Sequence, residues 1–452
     1  MTETTLTLAR FVADLAAADL PPAVPARARD LTIDLVGSII RAGREADSSP
    51  SLFAMLRRLG LDAPGDATVF GANRGYTPAV AALLNGALGH SLDFDDTHAD
   101  SSLHPSAPVV PAALAAAQMT GASGRDLLTA IVAGYEVCCR LGNALDPTRH
   151  YARGFHPTAT AGTFGAAAAA GKLLGLDPAG IASAFGVAGS QAAGSLQFLV
   201  NGAWNKRWQV GAAAMNGLVA ATLAAEGFRG ASAAIEGPHG FLHAYTDDAR
   251  PELAVADLGR VWETMKIGVK PYPACRYTHA AVDGLLALRR EAGLSPDDIL
   301  AVRIGLHRNG VTLTGAPLEE KQRPRNIVDG QFSMPFAAAV ALHRGRFGWD
   351  DYALIGDAAI EATAARVEVH RDARLEGLRH PFGAQISLRT TKGDMERHMA
   401  DPSGEPETFP SDEVIADKFM TLASPVLENA AASLLDRLGR LEEVADMRRL
   451  AG

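Results

Sequence analysis

The chain has 452 residues, of which 48% are hydrophobic and 21% are charged, and its net charge at pH 7 is −9; this composition is typical of a globular protein, and the length predicts two domains. Because no basic run and no apolar run of about 20 residues is present, we expect no nucleic acid and no membrane as partners. The three cysteines lack a metal-binding spacing and no secretory signal is visible, so we expect a cytoplasmic protein.

The first part of the chain predicts closely packed helices. In "SGRDLLTAIVAGYEVCCRLGNAL", Ser123 and Asp126 have the spacing of a capping box, and apolar residues then recur at helical intervals. Alanine and glycine are abundant, and such small residues let helices approach closely. Besides the quoted stretch, helices are predicted over residues 26–41, 78–91, 107–119, 158–174, 178–190 and 206–226.

The sequence pattern changes near residue 266. Three segments alternate apolar and polar residues as strands do, namely "DILAVRIGLHRNGVTL", "ARVEVHRD" and "FGAQISLRTTKG". Helices are predicted near residues 280–292 and 332–343, and after the linker "DPSGEPETFP" the chain is helical again from Ser411. We therefore predict a mainly α fold, in which residues 1–265 and 406–452 form a large all-helical domain and residues 266–405 form an inserted, smaller α+β lid domain.

Several common catalytic motifs are absent. "GTFGAAAAAGKLLG" has the wrong glycine spacing for a phosphate-binding loop, and Leu173 stands where Ser or Thr would follow the lysine. Its alanines favour a helix instead. We find no Gly-x-Gly-x-x-Gly after a strand, no Gly-x-Ser-x-Gly and no His-Glu-x-x-His, so dinucleotide, serine-hydrolase and zinc-protease chemistry lack support.

The stretch "HSLDFDDTHADSSLHPSAPVVPAAL" holds the densest group of acids and histidines. Its residues allow three interpretations, which are a metal cage, a proton-transfer site and a solvated loop. Other polar stretches at the edges of apolar helices are "RGFHPTATAGTFG", "GAWNKRWQVGAAA" and "MKIGVKPYPACRYTHAAVD". Each of these is weak evidence when taken alone.

Taken together, these stretches resemble one enzyme family. "NGALGHSLDFDDTHADSSLHPSAPVVPAALA" resembles the signature of the 2-methylcitrate dehydratase family (MmgE/PrpD), which also contains cis-aconitate decarboxylase and iminodisuccinate epimerase. "GYEVCCRLG", "GFHPTATAGTFGAAAAAGKLLGL", "NKRWQVGAAAMNGLVAATLAAEGF", "IEGPHGF", "KPYPACRYTHAAVD", "DGQFSMPFAAAVAL" and "ADKFMTLA" resemble further family segments, in family order. The resemblance implies a helical domain, an α+β lid, a homodimer, and a cofactor-free and metal-free site at the domain junction.

The resemblance also implies roles for individual residues. His104 matches a proton-transferring histidine, Asp93 a residue that orients a pocket cation or that histidine, and Lys206 and Lys270 two lysines that face substrate carboxylate. The expected substrate-binding residues are Thr97, His156, Arg276, His279 and Phe336. Arg276 is common in one branch of the family and less so in the decarboxylases.

This chemistry is consistent with physical principles. Removing or replacing a proton beside a carboxylate needs a positioned acid or base, for which histidine is suited at neutral pH. Fixed cations would stabilise the developing charge and draw a small anionic carboxylate into an otherwise acidic protein.

The leading prediction is a cofactor-independent lyase resembling 2-methylcitrate dehydratase. The alternatives are a dicarboxylate epimerase and, ranked lower, a cis-aconitate decarboxylase. The decarboxylase ranks lower because Phe336 stands where the family often has tyrosine, and because the loop "DDTHADSSLHPS" is one residue longer than in the decarboxylases. A non-catalytic homologue is the remaining possibility, and the joint presence of His104, Lys206 and Lys270 argues against it.

Overall fold

A computed structural model describes residues 3–377 and 382–450. The chain divides into two compact units. Within the described residues, the first comprises residues 3–91, 95–269 and 410–450, and the second comprises residues 92–94, 270–377 and 382–409. The predicted domain limits after residues 265 and 405 thus lie four positions before those of the two units, and the prediction did not include the short segment 92–94 in the smaller one.

Helices form most of the first unit. In chain order they are α1 (Thr4–Asp14), α2 (Ala23–Glu45), α3 (Ser49–Leu59), α4 (Pro78–Gly89), α5 (Ser106–Thr120), α6 (Gly124–Ala144), α7 (Pro147–Ala152), α8 (Pro157–Leu173), α9 (Pro178–Gly189), α10 (Asn205–Ala225), α11 (Phe241–Tyr245) and α12 (Pro251–Val255). Its strands are short, namely β1 (Pro64–Ala67), β2 (Thr97–His98) and β3 (Ile267–Gly268). β2 pairs with β3 in antiparallel fashion.

Small residues set the distances between the central helices. A Cβ atom on Gly217 of α10 would lie 2.4 Å from the Cβ of Ala166 in α8, and one on Gly165 would lie 2.8 Å from the carbonyl oxygen of Gly134 in α6. Only glycine fits at such contacts. The stretch "GTFGAAAAAGKLLG" therefore lies mainly in a packed helix, as its alanines indicated.

The second unit combines a sheet with short helices. Its helices are α13 (His279–Glu291), α14 (Arg308–Gly310), α15 (Leu318–Gln322), α16 (Ile327–Gln331), α17 (Met334–Arg344) and α18 (Ala358–Ala364), and its strands are β4 (Ile299–Leu306), β5 (Val367–Arg371), β6 (Ala384–Thr390) and β7 (Gly393–Met399). The strand order is β5-β4-β6-β7, in which only the β4–β5 pair is parallel. The sequence predicted β4, β5 and β6 and missed the edge strand β7, whose residues are exposed or half-exposed and lack a clear apolar face.

The chain then returns to the first unit through α19 (Asp412–Leu427) and α20 (Ala430–Gly439). Phe419 packs so closely on α2 that a Cβ on Gly37 would lie 3.3 Å from its Cα. Lys418 forms a 2.6 Å ion pair with the buried Asp34 of α2. The fold is therefore mainly α with a smaller α+β unit inserted in a helical body, as predicted. Within the described residues, no helix is long and apolar enough to cross a membrane.

Candidate active site

The acid-rich segment after α4 is buried. Asp95, Asp96 and His98 are each at most 1% exposed, so the interpretation of this stretch as a solvated loop is wrong for these three residues. Among residues 3–377 and 382–450, no group of three or more His, Cys, Asp or Glu side chains is placed to hold a metal ion.

The buried acids brace this segment. Asp95 Oδ2 accepts a 2.6 Å hydrogen bond from His90 Nδ1. Asp96 accepts from the backbone N–H and the hydroxyl of Ser106, at the start of α5. Burial and the neighbouring charge of Asp95 raise the pKa of Asp96 well above its usual range.

A second buried pair joins the same segment to the part of the first unit that precedes the insertion. His98 Nε2 lies 2.9 Å from Glu263 Oε2, and its Nδ1 lies 2.7 Å from the hydroxyl of Ser101. Since β2 pairs with β3, the residues before and after Thr97 are anchored by both backbone and side-chain bonds.

The His104 ring is held in one orientation by hydrogen bonds. Its Nδ1 lies 2.5 Å from the carbonyl oxygen of Asp96, and its backbone N–H donates to the hydroxyl of Thr158. Because a carbonyl oxygen only accepts, Nδ1 carries a proton and Nε2 is the atom that gains or loses one. The Thr97 hydroxyl lies 3.5 Å from the same Nδ1, at the outer limit of a hydrogen bond.

Two further histidines lie beside His104. The His90 ring centroid is 5.1 Å from that of His104 and 5.7 Å from that of His156. His156 Nδ1 receives a 2.8 Å hydrogen bond from Gln209 Nε2 of α10. The fold thus brings together His104 and His156, two residues separated by 52 positions in sequence, with the unpredicted His90 between them.

The predicted Lys206 and two other cations of the quoted stretches, Arg207 and Lys266, have different surroundings in the first unit. Lys206 is half-buried in the first turn of α10, one turn before Gln209. Arg207 is an ion-pair partner of Asp47 at 2.5 Å and is buried, which gives it a bracing role. Lys266 pairs with Glu263 at 2.8 Å, so it belongs to the His98 network.

The second unit contains its own buried polar cluster. Lys270 is 1% exposed, and its Nζ donates to the carbonyl oxygen of Asp93 at 3.0 Å and lies 3.2 Å from Asp93 Oδ1. Asp93 has a left-handed backbone with φ of 53°, which is uncommon for residues other than glycine. The segment 92–94 therefore adds a buried carboxylate to the lysine of the "KPYP" motif.

Arg276 and His279 complete this cluster. Both side chains are buried, Arg276 donates to Glu405 at 2.6 Å, and its Nη1 lies 3.3 Å from His279 Nδ1. Burial, followed by the charges of Arg276 and Lys270, lowers the pKa of His279 well below its usual range. His279 is therefore neutral, with its Nε2–H donating to the carbonyl oxygen of Ala274.

Phe336 lies among aromatic residues. It is 1% exposed and stacks on Tyr352 at 5.8 Å, with Phe347 edge-on at 6.2 Å. Burial and the charge of Asp93 raise the pKa of the Tyr352 hydroxyl, which donates to the carbonyl oxygen of Pro273. Phe336 is thus a core residue of the second unit, and its role in substrate binding stays a prediction.

Three residues that contact the predicted site residues were not predicted from the sequence. His90, Gln209 and Glu405 each bond to or stack on a predicted site residue. His90 stood within the quoted acid-rich stretch, and Gln209 stands one turn after Lys206. Glu405 lies in a linker and carried no signal.

The chain thus combines a helical body, an inserted α+β unit and buried clusters that contain histidines, a lysine and an arginine, which is the equipment of an enzyme that uses acid–base groups and cations. Comparison with known proteins identifies the class of enzyme. A model of the MmgE/PrpD N-terminal domain matches residues 6–254, and one of the MmgE/PrpD C-terminal domain matches residues 272–438. The chain belongs to the MmgE/PrpD family and is a lyase of that family.

Relatives with curated names support this assignment. The chain is 30% identical to "Cis-aconitate decarboxylase-like protein oryM" of Aspergillus oryzae, over 97% of this chain and 93% of that protein. It is 31% identical to "Cis-aconitate decarboxylase" of Aspergillus terreus, over 75% of this chain and 71% of that protein. It is 33% identical to "Cis-aconitate decarboxylase" of Homo sapiens, over 49% of this chain and 48% of that protein.

Proposed function

We propose that this lyase decarboxylates cis-aconitate or a closely similar unsaturated tricarboxylate. The observation that carries the proposal is His104, whose ring is held by the Asp96 carbonyl with Nε2 as its titrating atom. The names of three similar proteins supply the reaction. The sequence alone ranked a dehydratase above a decarboxylase. We reverse this ranking because Phe336 packs in an aromatic core, where the missing hydroxyl is weaker evidence against a decarboxylase.

The chemistry needs one proton and fixed cations. Loss of carbon dioxide breaks a carbon–carbon bond and leaves its electron pair on the remaining carbon chain as an allylic carbanion. His104, protonated on both nitrogens, would deliver the Nε2 proton to that carbon, so the products are carbon dioxide and an unsaturated dicarboxylate. Water exclusion strengthens the interaction of a cation with the carbanion.

For the second unit, we propose that Lys270 and Arg276 bind carboxylate. Both are buried, and buried cations are stable only when anions or hydrogen-bond acceptors compensate them. Asp93 and Glu405 do so in this structure. A carboxylate ligand could share Lys270 with Asp93, whereas the neutral His279 adds no charge of its own.

Dehydration of a 2-methylcitrate-like substrate is a second candidate. It is the reaction that the sequence alone ranked first, because Phe336 and the longer loop "DDTHADSSLHPS" argued against a decarboxylase. In that reaction His104 would start unprotonated and remove the proton beside a carboxylate. An epimerase of the iminodisuccinate type would use the same first step without loss of a leaving group.

Proton NMR in D2O distinguishes these candidates. Wild-type enzyme should convert cis-aconitate into a decarboxylated product that carries one deuteron from solvent. Turnover of 2-methylcitrate with loss of water, and none of cis-aconitate, would establish the dehydratase instead. Inversion of iminodisuccinate without a new unsaturated product would establish the epimerase. Activity that is lost with EDTA and restored by a divalent ion would overturn the metal-free mechanism.

A further inference from the structure

The orientation of the Gln209 side chain is fixed by two different neighbours. Its Oε1 accepts from the backbone N–H of Ser195 at 3.0 Å, and its Nε2 lies 2.8 Å from His156 Nδ1. A backbone N–H can only donate, so the atom facing Ser195 is the oxygen. The amide NH2 therefore faces His156 and donates to it.

This contact determines which nitrogen of His156 carries the proton. Since Nδ1 accepts from Gln209, a neutral His156 has its proton on Nε2. Protonating Nδ1 would place one N–H against another, so the same contact disfavours the imidazolium form. His156 is thus a neutral hydrogen-bond donor at Nε2.

His104 has the opposite arrangement. Its Nδ1–H donates to the Asp96 carbonyl, so its Nε2 holds a lone pair when the ring is neutral and a proton when the ring is charged. Two histidines of one cluster therefore present different groups at Nε2. One of them can exchange a proton, and the other can only donate a hydrogen bond.

We propose that Gln209 is a positioning residue that keeps His156 neutral and donating, so that proton transfer falls to His104 alone. The catalytic role of this hydrogen bond rests on the proposed function, whereas the position of the proton on His156 does not. A hydrogen bond from His156 Nε2 would stabilise the negative charge of the transition state without moving a proton.

The charged and titratable groups placed near His156 include His104 and His90, whose rings form one cluster with it. The His90 ring stacks on it, and Asp95 lies behind His90. From α10, Lys206 and Arg207 precede Gln209, and Arg207 is paired with Asp47. On α8, Thr160 accepts from His150 or donates to it at 2.9 Å. A change at Gln209 leaves all of these groups in place.

The first test measures the tautomers in substrate-free enzyme by long-range proton–nitrogen NMR of 15N-histidine-labelled protein, with signals assigned by loss in His104→Gln and His156→Gln. We expect the proton of neutral His156 on Nε2 and that of neutral His104 on Nδ1. A His156 protonated on Nδ1 would overturn the proposal. This measurement needs no turnover, so it can fail or succeed independently of the proposed reaction.

The second test replaces the donor by an acceptor of the same shape. Gln209→Glu should move the His156 proton to Nδ1 or charge the ring, lower kcat by about ten- to hundredfold, and shift the acid limb of the kcat profile. Asn216→Asp, which adds the same charge two turns further along α10, should leave both the tautomer and the profile unchanged. Unchanged His156 signals and an unchanged profile in Gln209→Glu would overturn the role of Gln209.

Discussion

Two of the predicted site residues are oriented by hydrogen bonds to backbone carbonyl oxygens. His104 shows this most directly, because a carbonyl oxygen at 2.5 Å fixes the proton on its Nδ1. Lys270 is held in the same way by the carbonyl oxygen of Asp93. Lys270 also pairs with the buried Asp93 carboxylate, so replacing it would leave that charge uncompensated, and His104 is the simpler of the two to test.

Substituting His104 tests the proton transfer. His104→Gln should lower kcat by about 10²- to 10⁴-fold and change KM little, because the ring acts on the transferred proton rather than on ground-state binding. The control is His243→Gln, at an exposed histidine of the same unit, which should match wild type. A His104→Gln enzyme with near-normal kcat would remove His104 from the mechanism.

The sequence predicted a set of site residues but not the residues that hold them. His104, His156, Lys206 and Lys270 stand in motifs, whereas Gln209 is an ordinary residue on a helix. Its hydrogen bond depends on how α10 lies beside the residues before α8, and such placement is not encoded locally. Phe336 also stands in a family motif, and its contacts with Tyr352 and Phe347 could not be predicted from that motif; its role in substrate binding stays a prediction.

Among the secondary-structure elements, close packing of helices determines where the predicted site residues of the first unit lie. α6, α8 and α10 approach at glycines, and α8 begins immediately after His156 while α10 carries Gln209. Periodicity predicted these helices well because their apolar residues recur regularly. It could not predict β7, since an edge strand with polar residues on both faces has no period-2 apolar signal.

Filling one such contact should destabilise the protein. Gly217→Ala places a Cβ 2.4 Å from that of Ala166, and overpacking of this kind costs about 1–3 kcal/mol of unfolding free energy. Gly439→Ala is the matched control, because no atom lies within 4 Å of its added Cβ. Urea denaturation would measure both, and equal stability of the two variants would contradict the packing argument.

The pair between His98 and Glu263 predicts a pH dependence of stability. Burial alone would raise the pKa of Glu263, but the hydrogen bond from His98 and the charges of His98 and Lys266 lower it to about 2. A lowered carboxyl pKa stabilises the fold above the unfolded value near 4.5, and this contribution is lost as the pH falls toward 2. Glu263→Gln should therefore lose stability at pH 7 and differ less from wild type at pH 3, as measured by denaturant melts.

On the scale of the whole chain, the helical body is built from segments far apart in sequence. α19 and α20 belong to the first unit although residues 270–409 separate them from it. The change of pattern near residue 266 and the return near Ser411 made this insertion predictable. The assignment of residues 92–94 to the second unit was not predictable, because it depends on the contact of Lys270 with Asp93.

Breaking the ion pair of the returning helix should weaken the first unit. Lys418→Met leaves Asp34, which is 1% exposed, without its 2.6 Å cation, and removing one partner of a buried pair typically costs about 3–5 kcal/mol. The double variant Lys418→Met with Asp34→Asn should recover part of that loss. Calorimetry would compare the three proteins, and a single variant as stable as wild type would show that α19 is held by apolar contacts alone.

The three cysteines are placed so that each unit contains a buried thiol, which can report the opening of its own unit. Cys138 and Cys139 are buried in α6 of the first unit, and Cys275 is buried in the second. Burial raises the pKa of Cys138 and Cys139 far above the usual range, so an alkylating reagent reaches a reactive thiolate only when the surrounding structure opens. Timed alkylation followed by peptide mass spectrometry would then give two opening rates from one sample. Labelling of Cys275 well before Cys138 would show that the inserted unit opens locally while the helical body stays closed.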